Sequence, residues 1–129
     1  MNSRTLLVAA GLLGLTGVAL GAFGAHALKD ILLERGMSSV WETASRYQLL
    51  HAVGLFAIAA WARSSEGAVP KLLRWTGTSW IVGTVLFSGS LYVLALGGPR
   101  WMGPITPLGG LALMAGWLGV IAAGFSKKG

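Results

Sequence analysis

A chain of 129 residues has room for one domain, and 54% of this one is hydrophobic while only 11% is charged, against roughly 25% charged in ordinary soluble proteins. It contains no cysteine, which excludes disulfides, thiolate metal sites, cysteine nucleophiles and an acylated-cysteine anchor. The formal charge of +6 does not point to nucleic acid, because Lys and Arg are scattered in the gaps between apolar stretches rather than gathered on one stripe. Charge in such gaps is what membrane insertion calls for.

A bilayer core takes about 20 apolar residues per helix. Thr5 to Leu28 meets this without a formal charge, so the first span is expected over residues 5–28. A cleaved signal peptide ending at Ala25-His26-Ala27 is the competing reading, disfavoured because the apolar stretch exceeds a signal core of about 7 to 15 residues. Gly14, Gly17, Gly21 and Gly24 recur at intervals of three and four and form a small-residue strip along one helix face, where another backbone can approach closely. The strip serves either a seam between copies or a contact inside the bundle, and the second reading is preferred.

Ile31, Leu32 and Leu33 precede Gly36, a pattern that fits a short surface-lying helix stopped by glycine. Ser39-Val40-Trp41-Glu42 has capping-box spacing, which would start the next helix. The second span is expected over residues 43–62. Its clean apolar run from Leu49 to Ala62 is interrupted by His51 and is too short alone, so Thr43, Ser45, Arg46, Tyr47 and Gln48 must enter the bilayer. Arg46 can snorkel to the surface, whereas His51, roughly 12 Å below the boundary, cannot.

Trp75 to Leu96 and Pro107 to Phe125 again lack formal charge, giving third and fourth spans over 75–96 and 107–125, with Trp75 and Trp101 where interfacial aromatics belong. Thr84, Ser88 and Tyr92 are spaced by four and share a face. Ala112/Gly116 and Ala115/Gly119 supply small pairs on the last helix. Arg4, Arg63, Lys71, Arg74, Lys127 and Lys128 fall on one side of the spans, and Lys29, Arg35, Arg46 and Arg100 on the other. This bias puts both termini and the 63–74 loop in the cytoplasm.

Each span contributes polarity toward the opposite, outer side: His26, Gln48 and His51, Ser88 and Tyr92, and Thr106. Lipid offers no hydrogen-bond partners, so these groups are expected to converge, with His51 bonded to the Ser88/Tyr92 stripe or to His26. A structural polar core is the preferred reading, and a pocket for a small solute, ion or proton is the alternative. A two-histidine metal site is disfavoured because no transmembrane carboxylate completes it, and no cofactor is expected. There is no glycine-rich nucleotide loop, zinc-protease signature or nucleophile elbow, so no enzyme is expected. Four short helices without an internal repeat also disfavour a secondary transporter.

Read together, Gly21-Ala22-Phe23-Gly24-Ala25-His26-Ala27-Leu28, Tyr47-Gln48-Leu49-Leu50-His51-Ala52, Phe87-Ser88-Gly89-Ser90-Leu91-Tyr92 and Ile105-Thr106-Pro107-Leu108-Gly109-Gly110 resemble the YgdD-like family of small bacterial inner-membrane proteins. Trp41-Glu42-Thr43-Ala44 and Gly116-Trp117 add weaker support. The resemblance runs over essentially the whole chain and implies a four-helix membrane protein of unknown function, without a substrate, reaction or catalytic residue. The expectation is therefore an all-α, four-transmembrane-helix bundle with a short interfacial helix between the first two spans, set in a bacterial inner membrane. Its partners would be the lipid bilayer and, as an open alternative, a second copy or another membrane protein.

Overall fold

The computed structural model describes residues 1–64 and 69–126. Lys127, Lys128 and residues 65–68 of the 63–74 loop lie outside the described residues. Four long helices and one short one follow in order: α1 (Ser3–Ala25), α2 (Lys29–Glu34), α3 (Ser38–Ser64), α4 (Lys71–Ala95) and α5 (Ile105–Phe125), with a 3-10 turn at Arg100–Met102 before α5. Among the described residues there is no strand.

The helix ends follow from local chemistry. Asn2 caps α1 by accepting from the Thr5 backbone N–H at 2.9 Å, which satisfies one of the four donors a helix start leaves orphaned. Gly36 has φ 67° and Gly97 φ 91°, left-handed values that glycine adopts without strain. Each closes a Schellman motif. At Gly36 the Met37 N–H donates to Leu32 at 2.8 Å and the Gly36 N–H to Leu33 at 3.1 Å; at Gly97 the Gly98 and Gly97 N–H groups repeat this on Val93 and Leu94. Met37 packs against the buried Leu32, the hydrophobic contact that accompanies this cap. α3 begins at Ser38, so Ser39 lies within the first turn rather than ahead of it, and the capping-box start is corrected by about one residue. The helix also extends well before residue 43.

α1, α4 and α5 are long and apolar enough to cross a membrane. α3 has 27 residues, which at ~1.5 Å per residue reach about 40 Å, but it carries more polar side chains. The helices are arranged as an open array rather than a closed ring: α1 packs on α3, α3 on α4, and α4 on α5, with α1 and α5 on the two flanks. Leu6, Leu55, Ala59, Leu73, Trp80 and Leu113 belong to one core near the terminal end. A second cluster of Leu32, Trp41 and Ala95 lies at the α2 end, with Leu20, Met37 and Tyr92 against it. The outward faces are apolar, with Leu15 70%, Val53 68% and Leu118 65% exposed. So continuous an apolar exterior suits hydrocarbon rather than water.

The glycine strip of α1 is turned onto α3. A Cβ at Gly17 would meet Leu49 at 2.8 Å, one at Gly24 would run into the Trp41 ring, and those at Gly14 and Gly21 would touch Ala52 and Ser45 at 3.9 Å. The strip thus faces α3 of the same chain, most closely at Gly17 and Gly24. Between α4 and α5 the approach is closer: a Cβ at Gly83 would lie 2.9 Å from the Leu113 backbone nitrogen and one at Gly109 2.7 Å from the Phe87 Cα.

Candidate functional site

The polar residues form linked pairs distributed along the array, and most of their bonds cross between helices. The Gln48 amide is the widest clamp. Its Nε2 donates to the Leu13 carbonyl at 2.9 Å and to Thr16 Oγ1 at 2.8 Å on α1, while its Oε1 accepts from the Tyr92 hydroxyl at 2.8 Å on α4. Thr16 can accept because its own proton goes back to the Leu12 carbonyl at 2.7 Å. Both amide donors are therefore used, which fixes the orientation of the amide. Ser45 Oγ lies 3.3 Å from the Tyr92 hydroxyl, and the Tyr92 ring meets Trp41 edge-on at 4.7 Å.

Four-residue spacing along α4 carries the network into α3 and α5. Ser88 Oγ donates to the Ala44 carbonyl at 2.7 Å. Trp80 Nε1 donates to the Leu113 carbonyl at 3.2 Å, and Thr76 Oγ1 to the Gly116 carbonyl at 2.8 Å. Thr84, between them on this face, is buried, and its Oγ1 is the buried side-chain N or O atom left without a partner among the described residues. Tertiary contact thus extends the Thr84/Ser88/Tyr92 stripe downward through Trp80 and Thr76. The same period of four, continued toward Lys71, would have found both.

His51 is 2% exposed but does not join Ser88, Tyr92 or His26, which corrects the expected pairing. Its Nε2 accepts from Trp117 Nε1 of α5 at 3.1 Å, and its Nδ1 lies 2.7 Å from the Tyr47 carbonyl one turn back. An indole N–H only donates, so Nε2 must be the acceptor and Nδ1 the protonated nitrogen. Both ring nitrogens are engaged. Trp80 stands edge-on to the imidazole at 5.4 Å and Trp117 at 6.0 Å. Spacing alone does not separate His51 from Ala44 and Gln48, which lie seven and three residues before it on the same side of α3; its partner differs because Trp117 of α5 reaches the imidazole there.

His26 is separated from the rest. It is exposed at the C-terminal cap of α1, where its backbone N–H bonds to Ala22 and Phe23. Thr106 pairs with Ser90 across the α4/α5 seam, apart from Gln48 and His51. The six expected residues therefore divide into a Gln48/Tyr92 clamp, a Ser88 bond to α3, a His51/Trp117 bond, a Thr106/Ser90 pair and an isolated His26. The sequence reading overlooked the indole donors Trp41, Trp80 and Trp117; for Trp80 and Trp117, placement inside spans rather than at an interface was the available signal. Arg35 was also missed: its Nε donates to the Ala95 carbonyl at the end of α4 at 3.0 Å, tying α2 down where carbonyls are unsatisfied.

Beside His51 a groove of about 560 Å³ opens between α3 and α5, lined by Tyr47, Phe87, Pro107, Met114 and Trp117 among others. Its walls are mostly apolar and aromatic. Among the described residues no three His, Cys, Asp or Glu side chains come close enough to hold a metal.

Residues 20–110 match the family described as a protein of unknown function (DUF423). The chain is 40% identical over 126 residues to a UPF0382 membrane protein of Staphylococcus haemolyticus, covering 98% of this chain and 99% of the relative. It is 36% identical over 122 residues to the UPF0382 membrane protein YwdK of Bacillus subtilis, covering 93% and 95%. The UPF0382 inner membrane protein YgdD of Escherichia coli is 38% identical over 117 residues, covering 91% and 86%. No solved structure matches. With relatives that run nearly end to end beside it, all called membrane proteins, and with several helices able to cross a bilayer, the chain belongs to the DUF423 family of multi-pass membrane proteins, to which no activity is assigned.

Proposed function

We propose that this is a four-span structural or accessory protein of the bacterial inner membrane, without catalytic activity, whose polar groups lock its own helices together. The observation that carries the reading is the use of the polar core. Gln48, Thr76, Trp80 and Ser88 each bond across a helix seam, and His51 has both nitrogens occupied, which leaves few groups free to act on a substrate.

α3 is the fourth span on this reading. Its polar side chains Ser45, Gln48 and His51 are buried against the neighbouring helices, while Leu50, Val53 and Phe56 face outward. α2 lies at the interface, with Leu32 buried beneath it and Lys29, Asp30, Glu34 and Arg35 exposed. The Lys/Arg bias places both termini in the cytoplasm and α2 outside. Because Gly17 and Gly24 are covered by Leu49 and Trp41 of α3 in the same chain, the strip supports contact within the protein rather than a seam between copies. The partner that remains is the lipid bilayer.

Three measurements test this. A cysteine replacing Glu34 should be labelled by an impermeant reagent from outside, and alkaline phosphatase fused to the C-terminus should be inactive; the reverse pattern inverts the topology. Gln48→Leu and His51→Phe should lower thermal stability in detergent. If both variants keep full stability while a solute bound in the His51 groove is lost, the groove is a binding site and the structural reading falls.

A further inference from the structure

Two hollows lie end to end on the same side of the α1/α3 seam. The upper, about 540 Å³, is at the α2 end and is lined by Gly21, Ala25, Lys29, Glu42 and Arg46, among others. The lower, about 550 Å³, is apolar and is lined by Gly11, Gly14, Val18, Leu49 and Val53, among others. Helical spacing makes them one feature. On α1 the rim runs 11, 14, 18, 21, 25, and on α3 it runs 42, 46, 49, 53, steps of three and four that stay on one face. Leu49, lying over Gly17, marks the narrowing between the two sections.

The chemistry changes along this groove as it does along a lipid. Lys29, Glu42 and Arg46 are exposed around the upper hollow, and among the described residues none of the three has a hydrogen bond or ion pair to another. From Val18 to Leu7 the lower section runs ~16 Å at ~1.5 Å per residue, about half of a ~30 Å hydrocarbon core, which is the depth of one leaflet. Gly11 has nothing within 4 Å of where its Cβ would be, and Gly14 only Ala52 at 3.9 Å, so the glycines here leave space that no protein atom fills.

We propose that this groove holds one phospholipid of the ethanolamine class. Its phosphate lies between Lys29 and Arg46, its primary ammonium turns to Glu42, and one acyl chain lies along the Gly11/Gly14/Val18 section. Two cations and one carboxylate complement a phosphate joined to an ammonium. A choline headgroup has no N–H to donate to Glu42, and a glycerol headgroup brings no positive charge to it. The inference goes beyond a structural role for the polar core: it concerns the opposite face of α3 from His51 and requires only that the seam lie in a bilayer.

The full-length protein in mild detergent, titrated with dioleoyl phosphatidylethanolamine, phosphatidylglycerol or phosphatidylcholine and followed by native mass spectrometry, tests it. One ethanolamine lipid per chain should be retained, with phosphatidylcholine and phosphatidylglycerol each held about fivefold more weakly. Arg46→Gln should weaken retention by a similar factor, and Glu42→Gln should abolish the preference for ethanolamine. Gly11→Leu should expel the acyl chain and reduce retention with the headgroup residues intact. Its melting temperature reports whether the fold survives, and Val18→Trp at an exposed rim position fills the same space if it does not. Equal retention of all three lipids, a preference for phosphatidylglycerol, or unchanged retention when the lower groove is filled would each overturn the proposal.

Discussion

The α4/α5 seam and the α1/α3 seam both use glycine, but for different purposes. Between α4 and α5 the backbones themselves meet: Gly83 faces the Leu113 nitrogen and Gly109 the Phe87 backbone, and Thr76 and Trp80 reach across to α5 carbonyls. Between α1 and α3 the space over the glycines is either filled by side chains, as at Gly17 and Gly24, or left loose, as at Gly14 and Gly21. The clamp there is Gln48, with Trp41 donating to the Leu20 carbonyl at 2.8 Å. One seam is held by close backbone packing and the other by a few long side chains. Without a hydrophobic force between helices in lipid, these are the two means available.

The comparison is broken most directly at Gly109. Gly109→Ala puts a methyl group against backbone that cannot rotate away, so a loss of about 3 kcal/mol, at the upper end of overpacking costs, is expected in equilibrium unfolding from mixed micelles. A near-neutral result would mean that α4 and α5 are farther apart than the structure places them.

Gln48→Leu should cost somewhat less, about 2 kcal/mol, because intramembrane hydrogen bonds are worth roughly 0.6 to 2 kcal/mol each and its former partners are left unpaired. Combining it with Tyr92→Phe should reveal a coupling of about 1 kcal/mol. Additive losses in that cycle would show that the tyrosine hydroxyl does not depend on the amide.

His51→Phe removes the acceptor for Trp117, a residue 43% exposed, so a smaller loss of about 1 kcal/mol is expected. Trp117 fluorescence should report it; because the chain has six tryptophans, the difference spectrum against Trp117→Phe is the one to record. At the small end, Gly14→Ala and Gly21→Ala place a methyl 3.9 Å from Ala52 or Ser45 and should alter stability by less than about 0.5 kcal/mol. Losses as large as that at Gly109 would remove the distinction between the two seams.

The order of the long helices was legible because hydrocarbon thickness fixes the length of an uncharged run, but their bounds were not, since α3 starts at Ser38 and α4 at Lys71. Glycine punctuation was legible at Gly36, where the left-handed cap requires it. The α4 stripe was visible as a period of four, since that spacing is a property of one helix and needs no neighbour. The sequence reading gathered His26 with the other polar groups, but depth alone does not give a side chain's direction, and His26 sits on an exposed cap.

By itself, then, the sequence determined the membrane environment, the helix runs, the stops and the polar face of each helix, all of which depend on local spacing and on the solvent the chain must satisfy. Only the tertiary structure decided the pairings. His51 bonds to Trp117, 66 positions away, and Gln48 to Tyr92, 44 positions away. The rotation and register that bring such groups within about 3 Å are set by how neighbouring helices pack, and a one-residue turn of ~100° in either helix would choose different partners.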